Sequence, residues 1–135
     1  MNENGAVVEG VSELALWVTD LDRSVTFYRD RLHFTVKDID PGRNAFLKSG
    51  NLTLALFIRS DPGTPLATEY LARTGGPQGE VYHVGFRIAP DRIDALSAEL
   101  RDSGLAVRGP VDFASGLHSY FLEDPDQHYI ELTDR

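Results

Sequence analysis

The sequence predicts an α+β fold of two βαβββ modules whose strands form a curved mixed sheet around a concave cavity. Three observations support this prediction. The chain has 135 residues, of which 41% are hydrophobic and 25% charged, as expected for one compact globular domain. Its two halves repeat the same order of elements, with Glu13 aligned to His83 at an offset of 70 residues. In each half, short apolar strands and turn-forming residues follow a single amphipathic helix.

The first module spans about residues 11–59. It opens with a strand whose apolar residues alternate from Leu14 to Val18, and it continues into an amphipathic helix that Asp20 or Asp22 can cap. The turn sequences Asp-Pro-Gly and Ser-Gly-Asn then separate three further strands, which are predicted at 34–39, 44–48 and 52–58.

The second module spans about residues 80–133 and repeats this plan. Its first strand leads into a helix that Asp91 can cap and that Gly104 ends. Three more strands are predicted at 105–113, 119–123 and 128–133. The Pro- and Gly-rich stretch at 60–79 is predicted to be a linker. Because neither module alone can bury a sufficient core, we expect one domain over 1–135.

The composition excludes several classes of partner and chemistry. Thirteen Lys and Arg against 21 Asp and Glu give a net charge of −8, which argues against nucleic acid and anionic membrane surfaces as partners. The absence of cysteine excludes disulfides, thiolate zinc sites and cysteine nucleophiles. The longest apolar stretches, such as 54–58, are too short to span a bilayer, and the polar, acidic start predicts no secretory leader. We therefore expect a cytoplasmic protein.

Strand alternation predicts which side chains line the concave cavity. If the apolar residues of the first strand pack on the helix, the residues between them face the cavity, and the same parity applies to the other strands. The cavity residues that carry chemistry are then Glu13, His83 and Glu131. The residues that flank them are Trp17, Phe57, Arg87 and Tyr129. The strand at 119–123 places His118 near the mouth of the same cavity, although a loop role without function is the favoured alternative. In an enzyme, His118 and Tyr120 would contact the substrate or the metal ligands.

One imidazole and two carboxylates on neighbouring strand faces predict a site for one divalent cation, either Mn²⁺, Fe²⁺, Ni²⁺, Co²⁺ or Zn²⁺. Three protein ligands leave coordination positions for water or substrate, as catalytic sites require. Two carboxylates in an apolar-walled cavity also repel each other unless a cation or a proton lies between them. An alternative stays open, in which His83 is a hydrogen-bonded structural residue and Glu131 pairs with Arg87 or Arg108.

Two longer motifs resemble a known superfamily. The run V-T-D-L-D-R-S-V-T-F-Y-R-D-R-L-H-F at 18–34 resembles the first strand–helix unit of the vicinal oxygen chelate superfamily. The run Y-F-L-E-D-P-D-Q-H-Y-I-E-L at 120–132 resembles its closing D-P-D-G-N-x-I-E-L motif, and the strand at His83 resembles the start of its second module. The superfamily includes glyoxalase I, methylmalonyl-CoA epimerase, fosfomycin-resistance enzymes, extradiol dioxygenases and bleomycin-resistance proteins. The resemblance extends over nearly the whole chain.

The resemblance implies metal ligands on the first, fourth, fifth and eighth strands, at positions occupied here by Glu13, Ala55, His83 and Glu131. Ala55 cannot coordinate a metal, and glyoxalase I has a carboxylate there that also transfers protons, so that isomerase activity is not expected. The chain also has Gln127 and His128 where the closing motif has Gly and Asn. We therefore expect either that Asp126 or Gln127 adopts a left-handed backbone conformation or that the turn is of a different type.

The function implied is that of a metal-dependent lyase, isomerase or dioxygenase acting on a small molecule with vicinal oxygens, with Glu13 or Glu131 as the base. The alternative is a metal-free binding protein of the bleomycin-resistance type, which would hold a small aromatic or cationic drug against Trp17, Phe57 and Tyr129. A third possibility is a scaffold without turnover. Because sheet edges need covering, we expect a homodimer, with modules exchanged between the two chains.

Overall fold

The computed structural model describes residues 5, 7, 8, 10–58 and 82–135. The chain divides into two compact units, Met1–Thr68 and Glu69–Arg135, and each unit contains one four-stranded sheet. Both units have the element order β-α-β-β-β, so the predicted α+β fold of two βαβββ modules is confirmed. The linker predicted at 60–79 lies outside the described residues. Within the described ranges, no helix is long and apolar enough to cross a membrane.

The first unit is a mixed sheet with one helix. Its strand order is β1-β4-β3-β2, in which β1 is parallel to β4 and the other neighbours are antiparallel. Its elements are β1 (Leu14–Val18), α1 (Leu21–Thr26), a π-helical turn (Phe27–Arg31), β2 (Thr35–Asp40), β3 (Asn44–Ser49) and β4 (Leu52–Ile58). Asp20 caps α1 by accepting a hydrogen bond of 3.0 Å from the Arg23 backbone N–H, so one of the two predicted caps is confirmed.

The core of the first unit lies between α1 and the sheet. Leu47 of β3 and Leu54 and Leu56 of β4 are fully buried, and α1 contacts both strands. The π-helical turn adds Phe27 and Tyr28, two successive aromatic residues that are both buried and pack edge to face at 5.0 Å. The helix side of this sheet is therefore apolar, and the polar candidates are left to the other side.

The second unit repeats this arrangement with the strand order β5-β8-β7-β6, in which β5 is parallel to β8. Its elements are β5 (Val84–Arg87), α2 (Ile93–Asp102), β6 (Arg108–Asp112), β7 (His118–Glu123) and β8 (Tyr129–Thr133). Gly104, at φ +97°, ends α2 as predicted. The cap predicted at Asp91 is wrong: Arg92 holds the N-cap position without a side-chain cap. The turn that precedes α2 closes instead on the Ala89 carbonyl, which accepts from the Arg92 and Ile93 N–H groups.

A tight turn joins β7 to β8 and fixes where β8 starts. The buried Asp124 side chain accepts hydrogen bonds of 2.9 Å from the backbone N–H groups of Asp126 and His128. Gln127 between them has φ +66°, so the expected left-handed residue is Gln127. The turn thereby fixes the start of the strand that carries Tyr129 and Glu131.

Candidate functional site

The two faces of the second sheet differ in chemistry, and strand register defines them. In the β7–β8 pair, Ser119 lies opposite Thr133 and Phe121 opposite Glu131, so these residues share one face. In the parallel β5–β8 pair, Gly85 lies opposite Glu131 and Arg87 opposite Thr133, which extends the same face onto β5. We call it the site face. Ile130 and Leu132 are buried on the opposite, helix face.

A histidine–glutamate pair occupies the site face. His83 directly precedes β5, and its Nε2 lies 3.2 Å from Oε1 of Glu131 on β8. The Glu131 side chain is 13% exposed and the His83 side chain 31% exposed, so the pair is largely shielded from water but accessible from one side. At Gly85, the residue opposite Glu131, no atom of the described residues lies within 4 Å of the place where a Cβ would stand. A small ligand or an ion can therefore approach the carboxylate from the β5 side.

The second oxygen of Glu131 also has a defined partner. The hydroxyl of Ser119, which is fully buried on β7, donates a hydrogen bond of 2.7 Å to Glu131 Oε2. Glu131 thus contacts His83 through one oxygen and Ser119 through the other, rather than the Arg87 or Arg108 considered from the sequence. Both arginines are exposed, and both lie opposite site-face residues, Thr133 and Phe121.

The chemistry of the pair fits a divalent cation. His83 Nδ1 is buried and finds no hydrogen-bond partner among the residues that the structure describes. An imidazole and a carboxylate in contact supply one nitrogen and one or two oxygen donors, a set suited to Mn²⁺, Fe²⁺, Co²⁺, Ni²⁺ or Zn²⁺. Across residues 10–58 and 82–135, no group of three His, Asp or Glu side chains is assembled that could hold a metal ion. The second unit thus supplies two of the three predicted ligands.

Aromatic rings cross the site face beside this pair. Phe121 of β7 stacks on Tyr129 of β8, with centroids 5.5 Å apart and planes at 17°. Phe113, which is 42% exposed, lies 6.4 Å from Phe121, and on the other side Tyr129 lies 6.4 Å from the His83 ring. Tyr82, 80% exposed, packs on His83 at 4.6 Å. We call Phe113, Phe121, Tyr129 and Tyr82 the aromatic row. It offers a flat apolar surface next to the His83–Glu131 pair.

The remaining predicted residues lie in the first unit. Glu13 is exposed and directly precedes β1, which is the position that His83 has relative to β5. Trp17 of β1 lies opposite Phe57 of β4, and Phe57 packs edge to face on Phe46 at 5.9 Å. Ala55 is fully buried, opposite Ala15. Trp17 and Phe57 therefore lie on one face of the first sheet, and Glu13 is four residues before Trp17 in sequence; their place beside a cavity stays a prediction.

The structure corrects the placement of His118 and Tyr120. Tyr120 lies opposite Leu132 in the β7–β8 pair, and His118 shares its parity, so both point to the helix face rather than to the face of Glu131. The Tyr120 hydroxyl donates a hydrogen bond of 2.5 Å to Asp94 on α2, and His118 also contacts Asp94. The prediction of both residues beside the cavity is wrong, because a shift by one residue along a strand reverses the face.

His118 forms a charged cluster that ties α2 to the sheet. Its Nδ1 lies 2.7 Å from Asp112 and its Nε2 2.7 Å from Asp94, so both ring nitrogens carry protons and donate. The hydrogen bonds to Asp94 and Asp112 raise the pKa of His118 to about 9. The hydrogen bonds from Tyr120 and His118 lower the pKa of Asp94, and the one to Asp94 raises the pKa of Tyr120. The cluster is an anchor of the helix on the sheet.

The polar partners of Glu131 and His118 were not predicted from the sequence. Ser119 was not considered, although it stands two residues from Phe121, whose opposite neighbour is Glu131. The signal was present in the strand pattern: once β7 and β8 are joined by the turn at 124–128, the pairing rule places Ser119 and Glu131 on one face. Asp94 and Asp112 carry no such signal, because they reach His118 from two other elements.

Two βαβββ modules, with a His–Glu pair on one face of the second sheet, define the class of this protein by its fold and its candidate site. The model of the Glyoxalase/Bleomycin resistance protein/Dioxygenase superfamily matches residues 10–132. The chain belongs to this superfamily, which includes metal-dependent enzymes.

One curated relative agrees with this assignment, and solved structures share the fold. The chain is 30% identical over 127 residues to the glutathione transferase FosA of Serratia marcescens, a match that covers 93% of this chain and 81% of the relative. The crystal structure of lactoylglutathione lyase from Agrobacterium tumefaciens superimposes with a TM-score of 0.72 at 22% identity and covers 95% of both chains. A mutant of the fosfomycin resistance protein FosX from Listeria monocytogenes, complexed with Mn(II) and 1S,2S-dihydroxypropylphosphonic acid, has a TM-score of 0.70 at 18% identity. That match covers 95% of this chain and 91% of the FosX chain.

Proposed function

We propose that this protein is a divalent-metal-dependent enzyme acting on a small molecule with two neighbouring oxygen atoms, and that Glu13, His83 and Glu131 are the metal ligands. The observation that carries the proposal is the His83–Glu131 pair, whose Nε2 and Oε1 atoms lie 3.2 Å apart on the site face. Both residues stand at positions where the superfamily resemblance implies ligands. The bound ion would supply Lewis-acid stabilisation of negative charge on substrate oxygens.

The protein residues have distinct roles in this proposal. Glu131 has both oxygens engaged, so it is suited to coordination rather than to proton transfer. Glu13 is exposed, which suits a carboxylate that takes a proton from the substrate as well as binding the metal. Arg87, exposed on the site face, offers a positive charge to an anionic substrate group. The reaction is of the lyase, isomerase or dioxygenase type, and the FosA relationship adds thiol transfer to the reactions worth assaying.

Metal content is the direct test. Protein purified without chelators should contain about one Mn, Fe, Co, Ni or Zn per chain by elemental analysis, and His83→Ala should contain none. His33→Asn is the matched control, since it removes an exposed imidazole at φ +63°, a conformation that asparagine tolerates. Wild-type protein that takes up none of these metals even when they are supplied would overturn the proposal. Equal loss of metal in the His33 variant would show that the effect is not specific to the site.

The aromatic row favours a second candidate function, metal-free binding of an aromatic cationic ligand. Stacked Phe121 and Tyr129 and the exposed Phe113 and Tyr82 provide flat surface, and the net charge of −8 attracts cations. Calorimetry with bleomycin in the presence of a chelator separates the two functions. Binding without metal that is lost in Tyr129→Ala supports this candidate, whereas no binding by metal-free protein removes it.

We further propose a homodimer that completes the metal site with Glu13 of a partner subunit. β1 and β5 are edge strands of their four-stranded sheets, and Glu13 and His83 stand at equivalent positions just before them. Side-by-side pairing of these two edges would cover both and bring the two side chains to one place.

Subunit mixing tests the exchanged dimer. When Glu13→Ala and His83→Ala proteins are dissociated and re-paired at random, about half of the dimers are mixed, and one of the two sites in each mixed dimer is whole. About a quarter of all sites should therefore regain metal. No recovery, with subunit exchange verified independently by differently tagged chains, would rule out the exchanged arrangement.

A further inference from the structure

The carboxylate of Glu131 is held at both oxygens by different kinds of partner. Oε1 lies 3.2 Å from Nε2 of His83, and the His83 side chain is 31% exposed. An imidazole is a common metal ligand. Oε2 accepts the hydrogen bond of 2.7 Å from Ser119, whose side chain is fully buried in the sheet. One oxygen therefore points to the open side of the pair, and the other is tied to the interior.

We infer that Ser119 is a positioning residue for the metal centre, which holds Glu131 Oε2 so that the glutamate binds the ion through Oε1 alone. The inference rests on the proposed function, since it presumes that Glu131 is a ligand. It adds a residue that does not touch the ion and that the superfamily resemblance does not point to.

The physical reason lies in the torsion that orients a carboxylate. The last torsion of a glutamate side chain is broad and roughly two-fold, so packing alone does not fix which oxygen faces the ligand. A hydroxyl on the neighbouring strand, at 2.7 Å, selects one orientation before the ion arrives. This hydrogen bond also uses a lone pair of Oε2, which disfavours coordination of the ion by both oxygens of Glu131. Hydrogen-bond partners of metal ligands commonly contribute about 10–100-fold to metal affinity.

Ser119→Ala removes this hydroxyl and little else. The variant leaves Oε2 without its donor and frees the carboxylate to rotate, so metal affinity should fall by about 10–100-fold. Ser97→Ala is the matched control: Ser97 is equally buried in the same unit, but its hydroxyl finds no partner within the described part of the chain. The control should bind metal with wild-type affinity.

The experiment is a calorimetric titration of metal-stripped protein with Mn²⁺, together with the visible spectrum of the Co²⁺-loaded protein. Weakened Mn²⁺ binding and an altered Co²⁺ spectrum in Ser119→Ala, with Ser97→Ala unchanged in both, support the inference. The spectrum reports coordination geometry, which a purely structural serine would leave as it is.

The outcomes separate this inference from the function on which it rests. Wild-type affinity and spectrum in Ser119→Ala would overturn the positioning role and leave the metal site intact. Equal weakening in the Ser97 control would likewise overturn it. Failure of the wild type to bind Mn²⁺ or Co²⁺ at all would overturn the proposed metal site and the inference together.

Discussion

Replacing Gln127 by glycine should stabilise the protein, although the change removes a side chain. Gln127 has φ +66° in the turn between β7 and β8, a region that residues with a Cβ rarely adopt. Its side chain is exposed, so little packing is lost when the side chain is deleted. The hydrogen bonds of the turn run through Asp124 and the backbone, including the Gln127 N–H to the Asp124 carbonyl at 2.9 Å, and glycine retains them.

The expected size of the effect follows from two opposing contributions. A left-handed residue with a Cβ costs about 1–2 kcal/mol relative to the right-handed conformation, and glycine avoids this cost. Glycine loses more conformational freedom on folding, which offsets about 0.5–1 kcal/mol of that gain. The net stabilisation is about 0.5–1 kcal/mol. For a chain of this length, it corresponds to a rise in melting temperature of about 2–4 °C.

Thermal unfolding of the wild type and the variant measures this difference. Asp126→Gly is the contrasting variant, because residue 126 is adjacent in the same turn but not among the residues with positive φ in the described chain. It should lower the melting temperature, since glycine there adds conformational entropy to the unfolded chain without relieving a left-handed backbone. A lower melting temperature in Gln127→Gly would refute the reasoning. It would show that the Gln127 side chain contributes more to stability than its left-handed backbone conformation costs.

The remaining predictions concern charge, chemistry and metal. The His118 imidazolium, held by Asp94 and Asp112, should contribute stability below pH 6.5 and lose it as the pH rises through about 9. Melting curves of wild type and His118→Gln should therefore converge above pH 9, and a constant gap would contradict the assignment. Because Ala55 offers no carboxylate, the protein should not isomerise the hemithioacetal of methylglyoxal and glutathione; robust thioester formation, followed by absorbance, would show another proton-transfer group. His83→Ala should lose the metal-dependent rise in melting temperature but keep the metal-free value, and an equal fall with and without metal would make His83 structural.

The alternation of apolar and polar residues predicts which face is buried in some strands but not in others. In β8 the order Tyr-Ile-Glu-Leu-Thr alternates clearly, and the structure buries Ile130 and Leu132 on the face opposite Glu131, as the pattern predicts. In β7 the order His-Ser-Tyr-Phe-Leu has large apolar residues on both faces, so the pattern does not determine the side of Tyr120. Only the register with β8 decides it, and that register depends on the turn between the strands.

Tertiary contacts explain the other differences between sequence and structure. The π-helical turn that buries both Phe27 and Tyr28 departs from the 3.6-residue period on which the helix prediction relied. The anchor of His118 joins residues from α2, β6 and β7, which are brought together only by the folded sheet. Local patterns therefore predicted the elements and the His83–Glu131 candidates, whereas the partners that orient or neutralise side chains came from packing.

The parallel pairing of β5 with β8 also determines when, during synthesis, the chain can form the contact between His83 and Glu131. His83 stands at the start of the second module and Glu131 in its last strand, so a ribosome completes every other element of the module before their contact can form. Contacts that close long loops also form late in folding, after local hairpins such as β7–β8. A nascent or C-terminally truncated chain would thus carry the imidazole without its carboxylate, and the proposed metal site could form only once β8 is complete.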